Sequence, residues 1–466
     1  MSTYLTRTPS SAGNRRTFTF STWVKLSNIG ASSRALVNAG ADSGSNDNLY
    51  FKSNGTLAFM FATEGSGNLV TNRIFRDPNS WYHIVVAVDT TQSTASNRVK
   101  IYVNGTQETS FSTETYPSQN YDTAFNNTVN QSFGARSYSA TQYFGGYLTS
   151  TVLVDGTAYT PSNFGETDST TGEWKPKATP SGVTYGTNGV LLKFENSGNL
   201  GLDSSGNSNN YTVNGAGTNA QTTDTPENNF AIMNPLDVGN NVSNTAFSLG
   251  SLKLVKSGTT SNNGDQIVSS LGFASGKWYW EIKGVSNPDN MFWTVFNDVL
   301  GGQAPYHNNY AYSFYGDGTG SASQIYESQE GNQKGYGIDN ATCFSNNDII
   351  QMAFDCDNYR LYIGRNGQWT DDNAASGGAI TSGSAFNQST PTGYYQISTA
   401  AAQAGFYRFA VVIAGSSVAH TTEVNFGNPT FSITSGNSDA NGYGNFEYAV
   451  PSGFYALCTK NINQYG

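Results

Sequence analysis

The distribution of apolar and polar residues over 80–106 predicts an antiparallel β-hairpin. Trp81 opens an apolar run that ends at a Ser/Thr-rich loop, and residues 99–104 then read Val-Lys-Ile-Tyr-Val-Asn. Neighbouring side chains of a strand point to opposite faces, so alternation at a period of two predicts a strand with one solvated face. Asn104 and Gly105 supply the left-handed backbone of a tight turn. The segment therefore predicts antiparallel sheet.

Aromatic and β-branched runs of this kind recur along the chain. In FTFSTWVKL (18–26), Phe18 and Phe20 fall on one face of the predicted strand and Ser21 and Trp23 on the other. Long amphipathic helical patterns are nearly absent. With 51 glycines, 13% aromatic and 12% charged residues, the composition favours short strands joined by many turns. We therefore predict an all-β fold.

Two stretches of the chain resemble known β-sandwich families. The hairpin, the strand at 18–26 and FGGYLTSTVLVDG (144–156) resemble the laminin G-like, or concanavalin A-like, sandwich. Four later segments resemble a SPRY domain, which is also a two-sheet sandwich: SGKWYWEIK (275–283), NDIIQMAFDCDNYRLYIGRNGQW (347–369), YRFAVVIAG (407–415) and EVNFGNPTF (423–431). The resemblances imply two concanavalin A-like antiparallel sandwiches of jelly-roll type in tandem.

The length supports two domains, because 466 residues exceed what one sandwich core usually holds. We expect a laminin G-like domain at 1–216, a linker at 217–242 and a SPRY-like domain at 243–466. The linker is polar and proline-containing. Its apolar residues are expected to fix it against one or both sandwiches: Phe230, Ile232, Met233 and Leu236.

Residues 190–216 resemble the strand and turn that open many laminin G-like domains, yet here they follow the other strands. We expect a permuted sandwich whose core is completed by Leu191, Leu192, Phe194 and Tyr211. The alternative is that this segment is the remnant of a second repeat.

Three further segments resemble virion proteins. VPSGFYALCTKNI (450–462) is similar to the end of the SPRY-like module in bacteriophage structural proteins. YLTRTPSSAGNRRTFTFS (4–21) and DTPENNFAIMNPLD (224–237) are similar to proteins of marine tailed phages. These resemblances imply a virion protein of a tailed bacteriophage.

Charge and cysteine content limit the possible partners and compartments. The net charge is −10 and no Lys/Arg stripe is present, which disfavours nucleic acid as a partner. Three cysteines without CxxC spacing, Cys343, Cys356 and Cys458, predict buried reduced thiols and assembly in a reducing host cytoplasm. A signal-peptide core and a membrane-spanning apolar segment of ~20 residues are both missing, so we expect no membrane insertion.

Catalytic motifs are missing from the sequence. Some concanavalin A-like sandwiches are glycoside hydrolases, which place two carboxylates as Glu-x-Asp-x-x-Glu, and this string does not occur. Of the two nearest acidic pairs, Asp355 and Asp357 are expected in a structural turn, and Asp371 and Asp372 in a solvated polar loop. His83 and His420 are expected to be structural, and no G-x-S-x-G string is found. The sequence therefore predicts a non-enzymatic protein.

The loop at 39–49 is a candidate calcium site. Asp42, Asp47 and Asn48 offer the oxygen ligands that calcium prefers, and laminin G-like domains often bind this ion through loop oxygens. The alternative is that these side chains cap their own backbone. No other cofactor is expected.

Sugar-binding sites combine an aromatic platform with polar side chains, because pyranose faces are apolar and their edges polar. The segment 304–318 has this composition, although its alternation also fits a core strand. The candidate ligand-binding residues are Tyr306, His307, Asn308, Tyr310 and Trp369. Trp369 is expected in an exposed loop beyond the Asn366-Gly367 turn, although the resemblance to SPRY domains leaves a structural tryptophan as the alternative.

The preferred function is that of a phage virion surface protein, a tail or head fibre or other appendage. It would recognise a host-surface glycan or protein, with glycan preferred, through several weak sites acting together. Other virion proteins and further copies of the chain are expected partners, with a homotrimer favoured. The alternatives are a structural decoration or connector protein without receptor binding, a free lectin-like protein and a degraded glycanase.

Overall fold

The computed structural model describes residues 3–27, 32–61, 67–215, 220–238, 245–257, 265–288, 291–297, 311–316, 323–329, 332–338, 345–371, 385–397, 405–413 and 419–466. The chain divides into two compact units. The first comprises Met1–Gln221 with Thr225–Glu227, and the second comprises Thr222–Asp224 with Asn228–Gly466. The predicted all-β fold is confirmed.

The first unit contains sixteen described strands. They are β1 (Tyr4–Arg7), β2 (Thr17–Leu26), β3 (Arg34–Gly40), β4 (Asn46–Phe51), β5 (Thr56–Phe61), β6 (Gly67–Ile74), β7 (Trp81–Asp89), β8 (Val99–Val103), β9 (Thr106–Gln107), β10 (Phe111–Thr115), β11 (Gln131–Phe133), β12 (Gly146–Asp155), β13 (Gly165–Thr167), β14 (Trp174–Pro176), β15 (Val190–Leu192) and β16 (Thr212–Asn214). Two 3-10 turns lie at Ala95–Asn97 and Pro161–Asn163.

Two large antiparallel sheets enclose the core of the first unit. The eight-stranded sheet has the order β10-β6-β5-β4-β3-β11-β1-β16, and the six-stranded sheet has the order β15-β12-β2-β7-β8-β9. The predicted hairpin is confirmed, because β7 and β8 pair with Ile84 opposite Val103. Phe18 and Phe20 of β2 point into the core, while Trp23 lies on the outer face with its ring stacked on His83.

The segment 190–214 is built into both sheets of the first unit. β15 pairs with β12, and β16 pairs with β1. Leu192 and Tyr211 lie in the core and Phe194 packs against it. Leu191 differs from the expectation: alternation turns it to the outer face of the six-stranded sheet, where it contacts a small apolar cluster.

Residues 157–189 form a layer over the outer face of the six-stranded sheet. Phe164 packs there with Val85 and Val152, and the small hairpin β13–β14 carries Trp174 onto the same face. Trp174 fits closely, because a Cβ added at Gly165 would lie 2.6 Å from its indole. This face is therefore buried by the chain itself.

The second unit contains seventeen described strands and one described α-helix, Thr459–Tyr465. The strands are β17 (Met233–Val238), β18 (Thr245–Ser248), β19 (Lys253–Lys256), β20 (Asp265–Ser269), β21 (Lys277–Ser286), β22 (Met291–Asn297), β23 (Ala311–Gly316), β24 (Ser323–Gln329), β25 (Asn332–Ile338), β26 (Ile349–Asp355), β27 (Arg360–Arg365), β28 (Gln368–Thr370), β29 (Phe386–Gln388), β30 (Tyr395–Gln396), β31 (Tyr407–Ile413), β32 (His420–Asn425) and β33 (Tyr455–Ala456).

A seven-stranded sheet and a ten-stranded sheet form the second sandwich. Their orders are β17-β20-β31-β22-β23-β24-β25 and β18-β19-β32-β21-β26-β27-β28-β29, with β30 on β27 and β33 on β21. Trp280 stands at the centre of the core, with its ring 4.7 Å from that of Phe409 and 5.4 Å from that of Phe426. Stacked aromatics of this kind fill the interior between the sheets.

Much of the segment expected to be a linker belongs to the second unit. Ile232 and Met233 are fully buried in its core, and β17 pairs with β20 at the edge of the seven-stranded sheet. Leu236 differs from the expectation, since it is 61% exposed. Most of the apolar residues expected to fix a linker are therefore core residues at the start of the second sandwich.

The C-terminal region covers the outer face of the ten-stranded sheet. Phe446 and Phe454 pack there with Tyr279 of β21. Beside them the buried carboxylate of Glu281 accepts hydrogen bonds from the backbone N–H groups of Tyr448 (2.8 Å) and Glu447 (3.0 Å). Burial raises the pKa of Glu281 to about 7, although these hydrogen bonds act in the opposite direction. The carboxylate thereby attaches the C-terminal region to the sheet.

Candidate functional site

Of the ligand-binding residues predicted from the sequence, only Trp369 lies in the described part of the chain. Tyr306, His307, Asn308 and Tyr310 lie outside the described residues. Trp369 is only 2% exposed and packs beneath the C-terminal region with Tyr279, their ring centroids 6.3 Å apart. This corrects the expectation of an exposed loop position, because the residues that cover Trp369 arrive from far along the chain.

The three candidate calcium ligands point in different directions. Asp47 faces the core, where its carboxylate accepts hydrogen bonds from the Tyr121 hydroxyl (3.2 Å) and the Ala124 N–H (2.6 Å). Asn48 follows it in β4 and therefore faces outward. Asp42 is exposed and accepts the N–H of Gly44. Within the described ranges no three His, Cys, Asp or Glu residues could hold a metal together.

His83 is a buried structural residue with a defined tautomer. Its Nδ1 lies 2.9 Å from the Trp174 indole nitrogen, and its Nε2 lies 2.9 Å from the Ser21 hydroxyl. An indole N–H only donates, so Nδ1 must accept and the neutral ring carries its proton on Nε2. His83 thus donates to Ser21 and cannot take a proton from its hydroxyl. Burial also lowers the pKa of His83 to about 3.

The acidic pair Asp355 and Asp357 is also engaged in local structure. Asp355 accepts hydrogen bonds from Asn358 and lies 2.8 Å from the Lys277 ammonium. Asp357 accepts the N–H of Gly276. This is the structural turn that the sequence predicts. Burial raises the pKa of the Cys356 thiol to about 12, which disfavours a thiolate nucleophile.

A row of mostly polar side chains crosses the outer face of the eight-stranded sheet. Successive cross-strand partners at one level are Thr115, Asn68, Met60, Asn48, Asn38, Ser132, Thr6 and Thr212. We call this set the polar row. Eight strands at a spacing of ~4.8 Å give it a length of roughly 34 Å. A loop that carries Ser137 and Gln142 covers its middle, because Ser137 donates to Asn38 and Asn48 donates to Gln142.

The end of the polar row at β1 and β16 carries two tyrosines. Tyr4 of β1 and Tyr143 of the covering loop have ring centroids 5.7 Å apart and an interplanar angle of 54°. Tyr143 is 39% exposed. Asn214 lies opposite Tyr4 in the register, and its Nδ2 donates to the Thr6 hydroxyl at 2.9 Å. We call Tyr4, Thr6, Tyr143, Thr212 and Asn214 the tyrosine surface.

The chemistry of the tyrosine surface suits a polyhydroxylated ligand. Two phenol rings provide an apolar platform, and the hydroxyls of Thr6 and Thr212 beside them can pair with ligand hydroxyls. Asn214 Nδ2 donates to both the Thr6 hydroxyl and the Thr212 carbonyl, so this side chain offers a ligand only its carbonyl oxygen, as an acceptor. None of the five residues is charged, so the surface favours a neutral ligand.

Sequence reasoning did not identify the tyrosine surface. The alternation of Tyr4 and Thr6 around buried Leu5 places both on the outer face, and this could have been read from the chain. Tyr143 and Asn214 join them only through the covering loop and the pairing of β16 with β1. Only the tertiary structure brings these three parts of the chain together.

The family comparison identifies the first domain. Residues 2–163 match the family described as the concanavalin A-like lectin/glucanases superfamily. These residues therefore form a laminin G-like, concanavalin A-like domain. The match covers about a third of the 466 residues.

Several solved structures are similar to parts of the chain. The SPRY domain of human HERC1 is 12% identical, with 43% of this chain and 99% of that chain covered and a TM-score of 0.27. The heptameric SAP-like pentraxin of Limulus polyphemus is 15% identical over 34% of this chain and 71% of that chain, with a TM-score of 0.25. The CBM40 of the Ruminococcus gnavus IT-sialidase is 15% identical, with 30% of this chain and 86% of that chain covered and a TM-score of 0.23.

Comparison with curated proteins finds no match. In the part of the chain that the structure describes, no helix has both the length and the apolar character needed to cross a membrane.

Proposed function

We propose that this protein is a non-enzymatic glycan-binding protein that recognises a neutral saccharide at the tyrosine surface. The observation that carries the proposal is the pairing of exposed Tyr143 with Tyr4 beside the amide and hydroxyl groups of Asn214 and Thr6. Pyranose rings stack on such aromatic faces, while their hydroxyls require the neighbouring donors and acceptors. The concanavalin A-like fold of residues 2–163 is consistent with this role.

The absence of a catalytic role belongs to the same proposal. His83 is held as a neutral donor to Ser21, so this pair has no general base. Asp355 and Asp357 are held in turn hydrogen bonds. Binding without bond cleavage is therefore the function that the described polar groups support.

The biological setting that we propose is the surface of a tailed bacteriophage virion. The support is the resemblance of residues 4–21, 224–237 and 450–462 to phage proteins. In a tail or head fibre, several copies would bind host-surface glycans together, so that weak individual sites give a strong attachment. A homotrimer assembled in the host cytoplasm together with other virion proteins fits this role.

Glycan-array binding of the full chain tests the proposed site. We expect binding to neutral glycans, and we expect Tyr143→Ala to weaken it about tenfold, because it removes roughly 1.4 kcal/mol of ring contact. Tyr138→Ala is the matched control, since Tyr138 lies on the same loop but packs over Arg136. Equal binding by the wild type and Tyr143→Ala would reject the tyrosine surface.

Competition with infection tests the biological setting. Mass spectrometry of purified virions should detect the chain, and excess recombinant protein should reduce attachment to host cells. A chain that is present in virions but neither binds host cells nor inhibits attachment would instead be a decoration or connector protein.

A further inference from the structure

A concave pocket lies in the segment that closes the first unit. Its volume is about 400 Å³, within the range of small-ligand sites. None of its lining residues belongs to the tyrosine surface. The lining residues are Lys193, Phe194, Glu195, Asn196, Ser197, Asn199, Leu202 and Ser204.

Two amide groups of the pocket are left available as donors. The Oδ1 atoms of Asn196 and Asn199 accept the backbone N–H groups of Gly198 (2.9 Å) and Gly201 (3.2 Å). These turns fix the position of each side chain. Among the described residues neither Nδ2 group has an acceptor, so each amide nitrogen can donate to a ligand.

The pocket also combines a cation and an anion that do not pair with each other. Lys193 and Glu195 flank Phe194, and neither forms an ion pair with any described residue. The ammonium group and the two amides favour a carboxylate, whereas the Glu195 carboxylate favours hydroxyl donors. Leu202 is 40% exposed and adds an apolar wall.

The backbone between the two charged residues is held in a strained conformation. Phe194 has a φ of +60°, which is unusual for a bulky residue. Gln221 supports this conformation, because its side-chain amide donates to the Phe194 carbonyl at 2.6 Å. Backbone strain that neighbours hold in place is concentrated at functional sites, where it fixes side-chain directions.

We infer that this pocket binds an acidic sugar, with the carboxylate at Lys193 and the two asparagine amides. A ligand hydroxyl donates to Glu195, and the apolar face of the ring lies on Leu202. The pocket is a second binding site and does not depend on the tyrosine surface. The two sites together would let one chain contact a neutral and an acidic unit of a glycan.

Calorimetric titration of the full chain with glucuronate tests this inference. Glucuronate should bind at least about tenfold more tightly than glucose, which lacks the carboxylate, and than lactate, which lacks the ring. Lys193→Met should weaken glucuronate binding about tenfold or more, and added salt should weaken wild-type binding. Glu195→Gln should weaken glucuronate binding several-fold. Lys52→Met, a lysine on the β4–β5 turn, is the matched control and should have no effect.

Three results would overturn the inference. They are equal affinities for glucuronate and glucose, equal affinities for glucuronate and lactate, and wild-type affinity in Lys193→Met. Tyr143→Ala separates this site from the proposed neutral-glycan site, because it should leave glucuronate binding unchanged. Failure of one site therefore leaves the other testable.

Discussion

At the scale of single residues, the buried polar groups of this protein are held by specific partners. His83 has one donor and one acceptor at 2.9 Å each, and Trp23 stacks on its ring at 4.8 Å. The sequence predicts that His83 is structural, and the hydrogen bonds confirm this. The tautomer could not be predicted, because Trp174 lies far along the chain and reaches His83 only through the layer over the six-stranded sheet.

Trp174→Phe tests the assignment of the His83 tautomer. Loss of the indole N–H leaves Nδ1 without its donor, so the ring proton should redistribute toward Nδ1 and the first unit should lose about 1–3 kcal/mol of stability. Nitrogen-15 NMR of the imidazole measures the tautomer. Trp23→Phe is the control, because the Trp23 indole nitrogen has no partner among the described residues. A wild-type ring protonated on Nδ1 would contradict the assignment.

At the scale of the elements, alternation decides which residues reach the core. It correctly predicts β2 and β8, while an unbroken apolar run predicts β7 and the resemblance of residues 144–156 to a laminin G-like domain predicts β12. It does not reveal which sheet a short strand joins. β15 has only three residues, and its pairing with β12 turns Leu192 inward and Leu191 outward. The expectation that both leucines fill one core was wrong for Leu191, because successive strand residues face opposite sides.

Leu192→Ala tests the contribution of β15 to the first unit. Leu192 is fully buried, so its truncation should cost about 2–5 kcal/mol. Leu202→Ala removes the same atoms at a position that is 40% exposed and should cost no more than about 0.5 kcal/mol. Chemical denaturation of both variants measures the difference. Equal stabilities would mean that β15 does not support the core.

At the scale of the whole molecule, the two units contain buried ionisable groups with opposite responses to pH. Burial lowers the pKa of His83 in the first unit from its ordinary value of 6.5 to about 3. Burial raises the pKa of Glu281 in the second unit from 4.5 to about 7. Unfolded His83 therefore binds a proton that the folded form excludes, while folded Glu281 retains a proton that the unfolded form releases.

Thermal unfolding between pH 4 and pH 8 tests these opposite responses. The contribution of His83 is present above pH 6.5 and is lost as the pH falls, whereas that of Glu281 is present below pH 4.5 and is lost as the pH rises toward 7. For each residue, the free energy of unfolding should change by up to about 1.4 kcal/mol per pH unit between the pKa of the unfolded form and that of the folded form.

Variants assign the two slopes to their residues. His83→Gln should remove the loss of stability that the first unit shows as the pH falls. Glu281→Gln should remove the loss of stability that the second unit shows as the pH rises. Each substitution also lowers the overall stability, because it breaks hydrogen bonds. Glu447→Gln, next to the same carboxylate, is the control and should keep the wild-type slope. Unchanged slopes in His83→Gln and Glu281→Gln would contradict the assignment.

The sequence by itself determined the all-β class and the main strands, because period-two alternation and Asn-Gly turns act over a few neighbouring residues. It did not determine where residues 228–238 belong, which face Leu191 occupies, or that Trp369 is covered. Those outcomes depend on pairings between distant segments, as does the meeting of Tyr4, Tyr143 and Asn214. Local patterns fix which face of a strand is apolar, whereas only the assembled sheets decide what lies against it.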